Sequence, residues 1–182
     1  MTTKNKSEIR TAAKSAVKGL TSEQKNTKST LIVKDILALE AIKSAEVVAL
    51  YASLPDEVIS SELIEILASQ KRVVLPRVAG DDMDFYPYNP NQMEVGAFGI
   101  TEPQTTDAIS PAEIDAIVVP GVAFTANGKR CGRGKGYYDK LLPFLSSYNI
   151  GLCYQFQARE EIPSEPFDKR MDEVWTEEGR LY

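Results

Sequence analysis

The chain has 182 residues, a formal net charge of −5 and no histidine. The lack of histidine excludes a Ser-His-Asp triad, a Cys-His pair and a His-ligated zinc. The acidic balance argues against nucleic-acid binding, and no apolar run is long enough to span a membrane. Two cysteines make no disulfide framework, and the polar N-terminus has no secretory-signal core, so we expect one cytoplasmic domain over residues 1–182.

Helix and strand patterns alternate along the first half of the chain. Apolar residues at helical spacing predict helices at 4–18, 22–39 and 60–69. Runs rich in β-branched and aromatic residues predict strands at 47–51, 72–77 and 84–88. The second helix is expected to bury Leu31, and Pro76 to stop regular strand pairing. Residues 93–103 are expected to form a loop that helps to wall a pocket.

The second half continues the same alternation. Strands are predicted at 114–119, 150–154 and 174–176, and a helix at 137–146. Asn127-Gly128 is a strong hairpin signal that leads into a basic segment. Alternating helices and strands favour a single three-layer α/β domain, with a mostly parallel Rossmann-like sheet and helices on both faces.

The most informative stretch is Gly128–Asp139, in which three glycines alternate with Arg133 and Lys135. Glycine allows left-handed backbone and a close approach of a ligand to peptide N–H groups. A Gly-rich basic loop that runs into a helix predicts a phosphate site. Asp139 follows at the point where a carboxylate could hold a Mg²⁺ ion that bridges phosphates.

Two known phosphate motifs do not fit this loop. A Walker A motif would need Ser or Thr after Lys135, where the chain has Gly136, and the dinucleotide fingerprint needs a different glycine spacing. A cationic surface turn is the alternative interpretation.

Further candidates lie at element ends. Lys6 and Arg10 share a helix face, which is either a solvated basic face or part of an anion site. Glu57 follows the strand at 47–51, where ligands of α/β sheets bind, although a turn carboxylate is the simpler interpretation. Arg77 is either a phosphate contact or a structural salt bridge. Asp168 and Asp172 lie in a charged C-terminal segment that is typically solvated.

The central motif, Gly-Arg-Gly-Lys-Gly-Tyr-Tyr-Asp at 132–139, resembles the signature of the 5-formyltetrahydrofolate cyclo-ligase family. Lys6-Ser7-Glu8-Ile9-Arg10, Gly99–Pro103 and Met171–Val174 resemble further elements of that family in the same order. The resemblance extends from Lys6 to Val174. Phe167 departs from it, since family members often carry histidine there, so no essential chemistry is assigned to that position.

The resemblance implies ATP and Mg²⁺ as co-substrate and metal, and 5-formyltetrahydrofolate as substrate, with a monomer as the expected state. It implies Lys135 and Arg133 as catalytic residues and Asp139 and Asp172 as Mg²⁺ ligands. The implied ATP contacts are Lys6, Arg10, Arg130, Gly132, Arg133, Gly134, Lys135, Gly136, Tyr137 and Tyr138. The implied folate contacts are Ala52, Glu57, Arg133, Lys135 and Tyr137.

The implied reaction is a cyclisation driven by phosphorylation. ATP transfers its γ-phosphoryl group to the formyl oxygen, N10 attacks the activated carbon, and phosphate leaves as 5,10-methenyltetrahydrofolate forms. Such a reaction asks the protein mostly for positioning and charge neutralisation, which needs no histidine. Two alternatives are another nucleotide-dependent ligase or kinase with a different substrate, and a sensor that binds nucleotide or folate without turnover.

Overall fold

The computed structural model describes residues 5–96, 99–166 and 168–182. The α-helices are α1 (Lys6–Lys18), α2 (Ser22–Ala38), α3 (Glu40–Ser44), α4 (Ser61–Ala68) and α5 (Tyr137–Leu141). The first strands are β1 (Val47–Ala49), β2 (Arg72–Ala79), β3 (Asp82–Pro87), β4 (Met93–Val95), β5 (Thr101–Pro103) and β6 (Ala116–Pro120). The later strands are β7 (Ala123–Thr125), β8 (Arg130–Cys131), β9 (Tyr148–Leu152), β10 (Ala158–Arg159), β11 (Glu173–Thr176) and β12 (Gly179–Arg180).

Seven strands form the central sheet in the order β12-β11-β9-β6-β1-β2-β3. The five inner strands are parallel, and the edge strands β12 and β3 are antiparallel to their neighbours. The chain leaves β1 toward β2 on one side and later returns to β6 on the other side. Strand order therefore reverses between β1 and β6, and ligands of open α/β sheets bind beyond the carboxyl ends of strands at such a point.

Residues that alternate along the inner strands pack into two separate cores. Val48 and Val118 pack with the buried faces of α2, α3 and α4. Ala49 and Val119 point to the other face and pack with Leu142 and the residues around α5. The predicted three-layer α/β fold with a mostly parallel sheet is confirmed.

A third, smaller core fixes α1 beside a second sheet of order β10-β7-β8. Ile9 and Ala13 of α1 pack with Val122, Ala123 and Cys131. The hairpin of β7 and β8 confirms the turn expected at Asn127-Gly128, and Gly128 has a φ of 81°, which favours glycine. The first predicted helix is observed from Lys6, and Lys4, its expected first residue, lies outside the described residues.

Two sequence-based expectations were wrong: the burial of Leu31 and the end of strand pairing at Pro76. Leu31 is 46 % exposed, because the buried face of α2 passes through Ile32, Val33 and Ile36 instead. The pairing of β2 with β1 ends at Val74, but its pairing with β3 continues through Pro76 to Ala79. A proline without an N–H is tolerated there, since β2 has no second partner beyond Val74.

The expected loop at 93–103 contains the antiparallel hairpin of β4 and β5, and residues 97–98 lie outside the described part. Ile100 and Glu102 do line a cavity, so the expected wall is confirmed. The helix predicted at 137–146 ends at Leu141 and continues as a 3₁₀ turn, Leu142–Phe144, in which Pro143 cannot donate an α-helical hydrogen bond. Among the described residues, no helix is both long and apolar enough to cross a membrane.

Candidate active site

A cavity of about 400 Å³ opens at the point where the strand order reverses. The segment after β1 contributes Tyr51, Ala52, Leu54 and Glu57, and β6 contributes Pro120. Strands β2, β3 and β5 add Pro76, Val78, Met83 and Glu102, with Ile100 just before β5. The remaining lining residues are Arg130 and the segment from Gly132 to Asp139. This volume lies in the range of small-molecule sites.

The Gly-rich loop joins β8 to α5 and needs glycine at two positions. Gly134 has a φ of 100° and Gly136 a φ of 79°, which L side chains rarely adopt. Gly136 is also the residue immediately before α5. The prediction that these glycines serve backbone conformation is confirmed, and Lys135 between them is exposed and lines the cavity.

Helix α1 brings its two predicted basic residues to the loop. Nε of Arg10 donates to the carbonyl oxygen of Gly132 at 2.8 Å. A Cβ added to Gly134 would lie 3.4 Å from the guanidinium carbon of Arg10, so the two groups pack closely. Nζ of Lys6 lies 3.3 Å from Oδ2 of Asp168, which brings that carboxylate to the end of α1 nearest the loop.

Arg133 and Glu57, which the sequence places 76 residues apart, form an ion pair inside the cavity. Nε of Arg133 donates to Oε1 of Glu57 at 2.8 Å, and Nη2 of Arg133 contacts Asp56. The N–H of Leu54 donates to Oε2 of Glu57 at 2.8 Å. The Glu57 side chain is only 6 % exposed, so its charge is compensated by Arg133 and a backbone donor rather than by water.

Arg130 is held between the end of β6 and α5. Its Nη1 donates to the carbonyl oxygen of Pro120 at 3.1 Å, and its Nη2 pairs with Asp139. Its guanidinium carbon lies 5.5 Å from the ring centroid of Tyr138. The Arg130 side chain is 6 % exposed and that of Asp139 is 51 % exposed. Asp139 therefore offers an accessible carboxylate beside a buried cation.

The two tyrosines of the motif differ in their contacts. The hydroxyl of Tyr137 donates to the carbonyl oxygen of Gly80 at 3.2 Å, which ties α5 to the turn between β2 and β3. The hydroxyl of Tyr138 is buried beside the cavity and has no hydrogen-bond partner within the described structure. Burial raises the pKa of Tyr138 far above its usual value, and the charge of Glu57 raises it further, so it is a neutral donor near pH 7.

A second, smaller cavity of about 210 Å³ shares Arg130 and Asp139 with the first. Its other walls carry charges of both signs, from Lys129, Lys169 and Arg170 and from Glu165 and Asp168. The two cavities thus adjoin at the ion pair of Arg130 and Asp139.

The two carboxylates predicted for Mg²⁺ have different surroundings. Asp139 lines both cavities, whereas Asp172 precedes β11, and its Oδ2 accepts hydrogen bonds from the backbone and side-chain nitrogens of Asn149 at 2.7 and 3.2 Å. No group of three His, Cys, Asp or Glu side chains in the described ranges is arranged to hold a metal ion. An exposed Asp139 still fits Mg²⁺, which commonly takes one or two protein carboxylates and fills its shell with phosphate and water.

Arg77 was expected to contact phosphate or to form a salt bridge. Within the described residues it lines neither cavity and forms no ion pair. Its Nη1 donates to the carbonyl oxygens of Pro103 and Thr105, both at 2.9 Å, and its guanidinium carbon lies 3.7 Å from the ring centroid of Tyr86. Arg77 therefore fastens β5 to the central sheet.

The sequence reasoning missed Glu102 as a site residue. It lies in β5, is 4 % exposed and lines the larger cavity. The sequence around it, Gly99–Pro103, gave no sign of this role, because the burial of Glu102 depends on how β5 packs in the fold.

The fold and the cavity define an α/β protein with a small-molecule site beside a basic, Gly-rich loop. The family model of the 5-formyltetrahydrofolate cyclo-ligase family matches residues 2–177. This chain therefore belongs to the 5-formyltetrahydrofolate cyclo-ligase family, a family of ligases, as the sequence motifs predicted.

Individual relatives agree with this assignment. The 5-formyltetrahydrofolate cyclo-ligase of Haemophilus influenzae is 32% identical, over 92% of this chain and 95% of its own. The mouse enzyme of the same name is 25% identical, over 94% and 93% of the two chains. The solution structure of Aquifex aeolicus 5,10-methenyltetrahydrofolate synthetase covers 97% of this chain and 91% of its own, with 34% identity and a TM-score of 0.88.

Proposed function

We propose that this chain catalyses the ATP- and Mg²⁺-dependent cyclisation of 5-formyltetrahydrofolate to 5,10-methenyltetrahydrofolate, with release of ADP and phosphate. The observation that carries the proposal is the ion pair of Arg133 and Glu57 within one cavity. It joins the basic loop, which suits phosphate, to the segment after β1, which suits the folate. A phosphoryl group can pass between two substrates only if both bind at such a junction.

The first step transfers the γ-phosphoryl group of ATP to the formyl oxygen. The formyl oxygen attacks phosphorus, the bond to the ADP oxygen breaks, and an imidate phosphate results. Charge on the transferring group is met by Lys135, which is exposed at the cavity and has no described ion-pair partner, and by Arg133. Preorganised cations of this kind supply most of the catalysis in phosphoryl transfer.

The second step closes the ring. The lone pair of N10 attacks the activated formyl carbon, the carbon–oxygen bond breaks, and phosphate leaves with the former formyl oxygen. The N10 proton is released as the methenyl bridge forms. Glu57 and Tyr137 orient the folate for this attack, with Ala52 against it, and the apolar walls from Val78, Met83 and Ile100 keep water from the activated carbon.

Nucleotide phosphates are held by the basic side chains around the loop, with the backbone N–H groups of Gly132, Gly134 and Gly136. Arg10 and Arg130 are fixed there by hydrogen bonds to Gly132 and Pro120. Lys6 and Tyr138 complete this set. Mg²⁺, held by Asp139 and phosphate oxygens, would neutralise phosphate charge. The role of Asp172 as a second ligand stays a prediction.

The test follows the methenyl product by its absorbance when purified protein, Mg-ATP and 5-formyltetrahydrofolate are mixed. Turnover should require all three components and should release ADP in a 1:1 ratio to product. Product formation without ATP would overturn the proposal, because the formyl oxygen would then leave without phosphorylation. Binding of both ligands with no ADP release would instead identify a sensor.

A further inference from the structure

Glu102 is a buried glutamate that lines the larger cavity, and one of its two carboxylate oxygens has no hydrogen-bond partner in the described structure. The residue is 4 % exposed, and its Oε1 is buried with no partner within the described structure. A buried charged group with no partner is strongly unfavourable, so such groups are normally paired or hydrogen-bonded. The carboxylate of Glu102 therefore lowers the stability of the fold unless a ligand donates a hydrogen bond to it.

The surrounding residues make room for this carboxylate but do not neutralise it. A Cβ added to Gly96 would lie 2.0 Å from Oε2 of Glu102, so the glycine leaves the space that the carboxylate occupies. Glu94 is the register partner of Glu102 across β4 and β5, which places two like charges opposite each other. Arg77 fastens this strand, but the hydrogen bonds from its Nη1 go to the carbonyl oxygens of Pro103 and Thr105.

Glu102 differs in this respect from Glu57, the other glutamate that lines the cavity. Both oxygens of Glu57 accept hydrogen bonds, from Arg133 and from the N–H of Leu54. Glu57 is thus engaged beside the basic loop, where the chemistry takes place. Glu102 is carried by β5, outside the loop, lines the cavity, and keeps its buried Oε1 without a partner in the described structure.

We infer that Glu102 recognises the aminopyrimidinone ring of the folate by accepting hydrogen bonds from its ring N–H and its adjacent amino group. This inference rests on the proposed function. A carboxylate matches two adjacent parallel N–H donors, the arrangement that makes such pairs strong and selective. The formyl oxygen on N5 must face Arg133 and Lys135 for phosphoryl transfer, which directs the pyrimidine edge of the bicyclic ring away from the loop. Glu102 is a specificity-determining residue of this site.

The direct test is a calorimetric titration of 5-formyltetrahydrofolate, without ATP, into the wild-type protein and Glu102→Gln. The variant keeps the shape of the side chain but removes its charge and turns one acceptor into a donor. We expect folate to bind about 10- to 100-fold more weakly, the range for loss of one charge-assisted hydrogen bond. The matched control is Glu23→Gln on α2, whose side chain is exposed and lines neither cavity, and its affinity should stay within about twofold of wild type.

A folate analogue without the 2-amino group separates recognition from a structural effect. The wild-type protein should bind this analogue at least about tenfold more weakly than the parent compound, whereas Glu102→Gln should discriminate less than about threefold, because the pair is already broken. The thermal midpoint of Glu102→Gln should not fall, since the change removes a buried charge. Equal discrimination by both proteins, or unchanged affinity in Glu102→Gln, would overturn the inference.

The methenyl assay on the same samples separates this inference from the proposed function. Wild-type turnover together with unchanged folate affinity in Glu102→Gln would overturn the role of Glu102 and leave the proposed reaction intact. A wild-type protein that binds folate with the expected dependence on Glu102 but forms no product would support the recognition role and overturn the reaction. A wild-type protein that does not bind folate would overturn both.

Discussion

Arg133 and Glu57 meet in an ion pair with 2.8 Å between Nε and Oε1, and this pair joins the Gly-rich loop to the segment after β1. Asp56 adds a second carboxylate to the same guanidinium. The family resemblance implied contacts to both ATP and folate for Arg133, Lys135 and Tyr137, and a contact to the folate alone for Glu57. Because Glu57 is paired with Arg133, we expect a change on either side of this ion pair to affect the other side.

Replacing Arg133 should destabilise the protein through Glu57. Arg133→Gln leaves a carboxylate that is 6 % exposed with only the N–H of Leu54 as a described partner, which should lower the free energy of unfolding by about 1–3 kcal/mol. The double variant Glu57→Gln/Arg133→Gln should lose less than the sum of the single changes. Urea unfolding measures all three variants, and strictly additive losses would show that the pair is not coupled.

The same cluster should make stability depend on pH. Burial raises the pKa of Asp56, but the hydrogen bond and the charge from Arg133 outweigh it, so its pKa lies below the usual value of 3.8. A lowered folded-state pKa stabilises the fold above the unfolded-state pKa, and that contribution disappears as the pH falls through the folded-state pKa. When the free energy of unfolding is measured at decreasing pH, Arg133→Gln should therefore lose less stability than wild type below about pH 4.

Lys135 should act on the rate rather than on binding. Its ammonium is exposed at the cavity between two glycines, so Lys135→Ala should fold normally and lower kcat by about 10²–10³-fold, more than it raises the KM for ATP. Lys135→Arg should restore little of the lost kcat, because the planar guanidinium of arginine does not replace the compact ammonium of lysine. Steady-state kinetics decide this, with the exposed Lys34→Ala on α2 as the control.

Wild-type kcat in Lys135→Ala would assign this loop a binding or structural role. The transfer role would then pass to Arg133 or Arg10.

Tyr138→Phe should separate activity from stability. The hydroxyl is buried without a described partner, so its removal should leave the free energy of unfolding unchanged or raise it, while kcat/KM falls about tenfold because a donor to the ligand is lost. Tyr148→Phe should show the reverse, since that hydroxyl donates to Glu173 at 3.0 Å and lies outside both cavities. A fall in stability with full activity in Tyr138→Phe would make its hydroxyl structural.

Arg77 should affect folate through the position of Glu102. Arg77→Met releases the carbonyl oxygens of Pro103 and Thr105, and we expect the KM for 5-formyltetrahydrofolate to rise about tenfold with little change in kcat. In a Glu102→Gln background the same change should add little. Arg72→Met, on the same strand but in an exposed ion pair, is the control. Equal effects in both backgrounds would indicate a purely structural role.

Local patterns were sufficient to predict most of the fold. The apolar runs that became β1 and β6 are buried on both faces, and such runs identify inner parallel strands from sequence alone. Helix ends with sharp signals, such as Gly19 after α1 and Thr21 before α2, were also predictable. The hairpin of β4 and β5 was missed because its strands have three residues each, too few to show alternation.

The candidate site was also predictable only in part. Residues within the Gly-rich loop were predictable because they are contiguous, and the structure places them along one cavity. The pairing of Arg133 with Glu57 was not predictable, since it depends on how the chain crosses between β1 and β8. Glu102 was missed because its burial comes from the fold, and neither its spacing nor its neighbours in sequence indicate that its carboxylate lacks a partner.

The most direct test of the central claim follows the formyl oxygen. 5-Formyltetrahydrofolate labelled with ¹⁸O at the formyl group is converted with Mg-ATP in a single turnover, and the phosphate is analysed by mass spectrometry. Transfer of the γ-phosphoryl group to the formyl oxygen predicts one ¹⁸O atom in each phosphate released and none in ADP. Methenyl product formed with unlabelled phosphate would show that the oxygen leaves by another route and would contradict this mechanism.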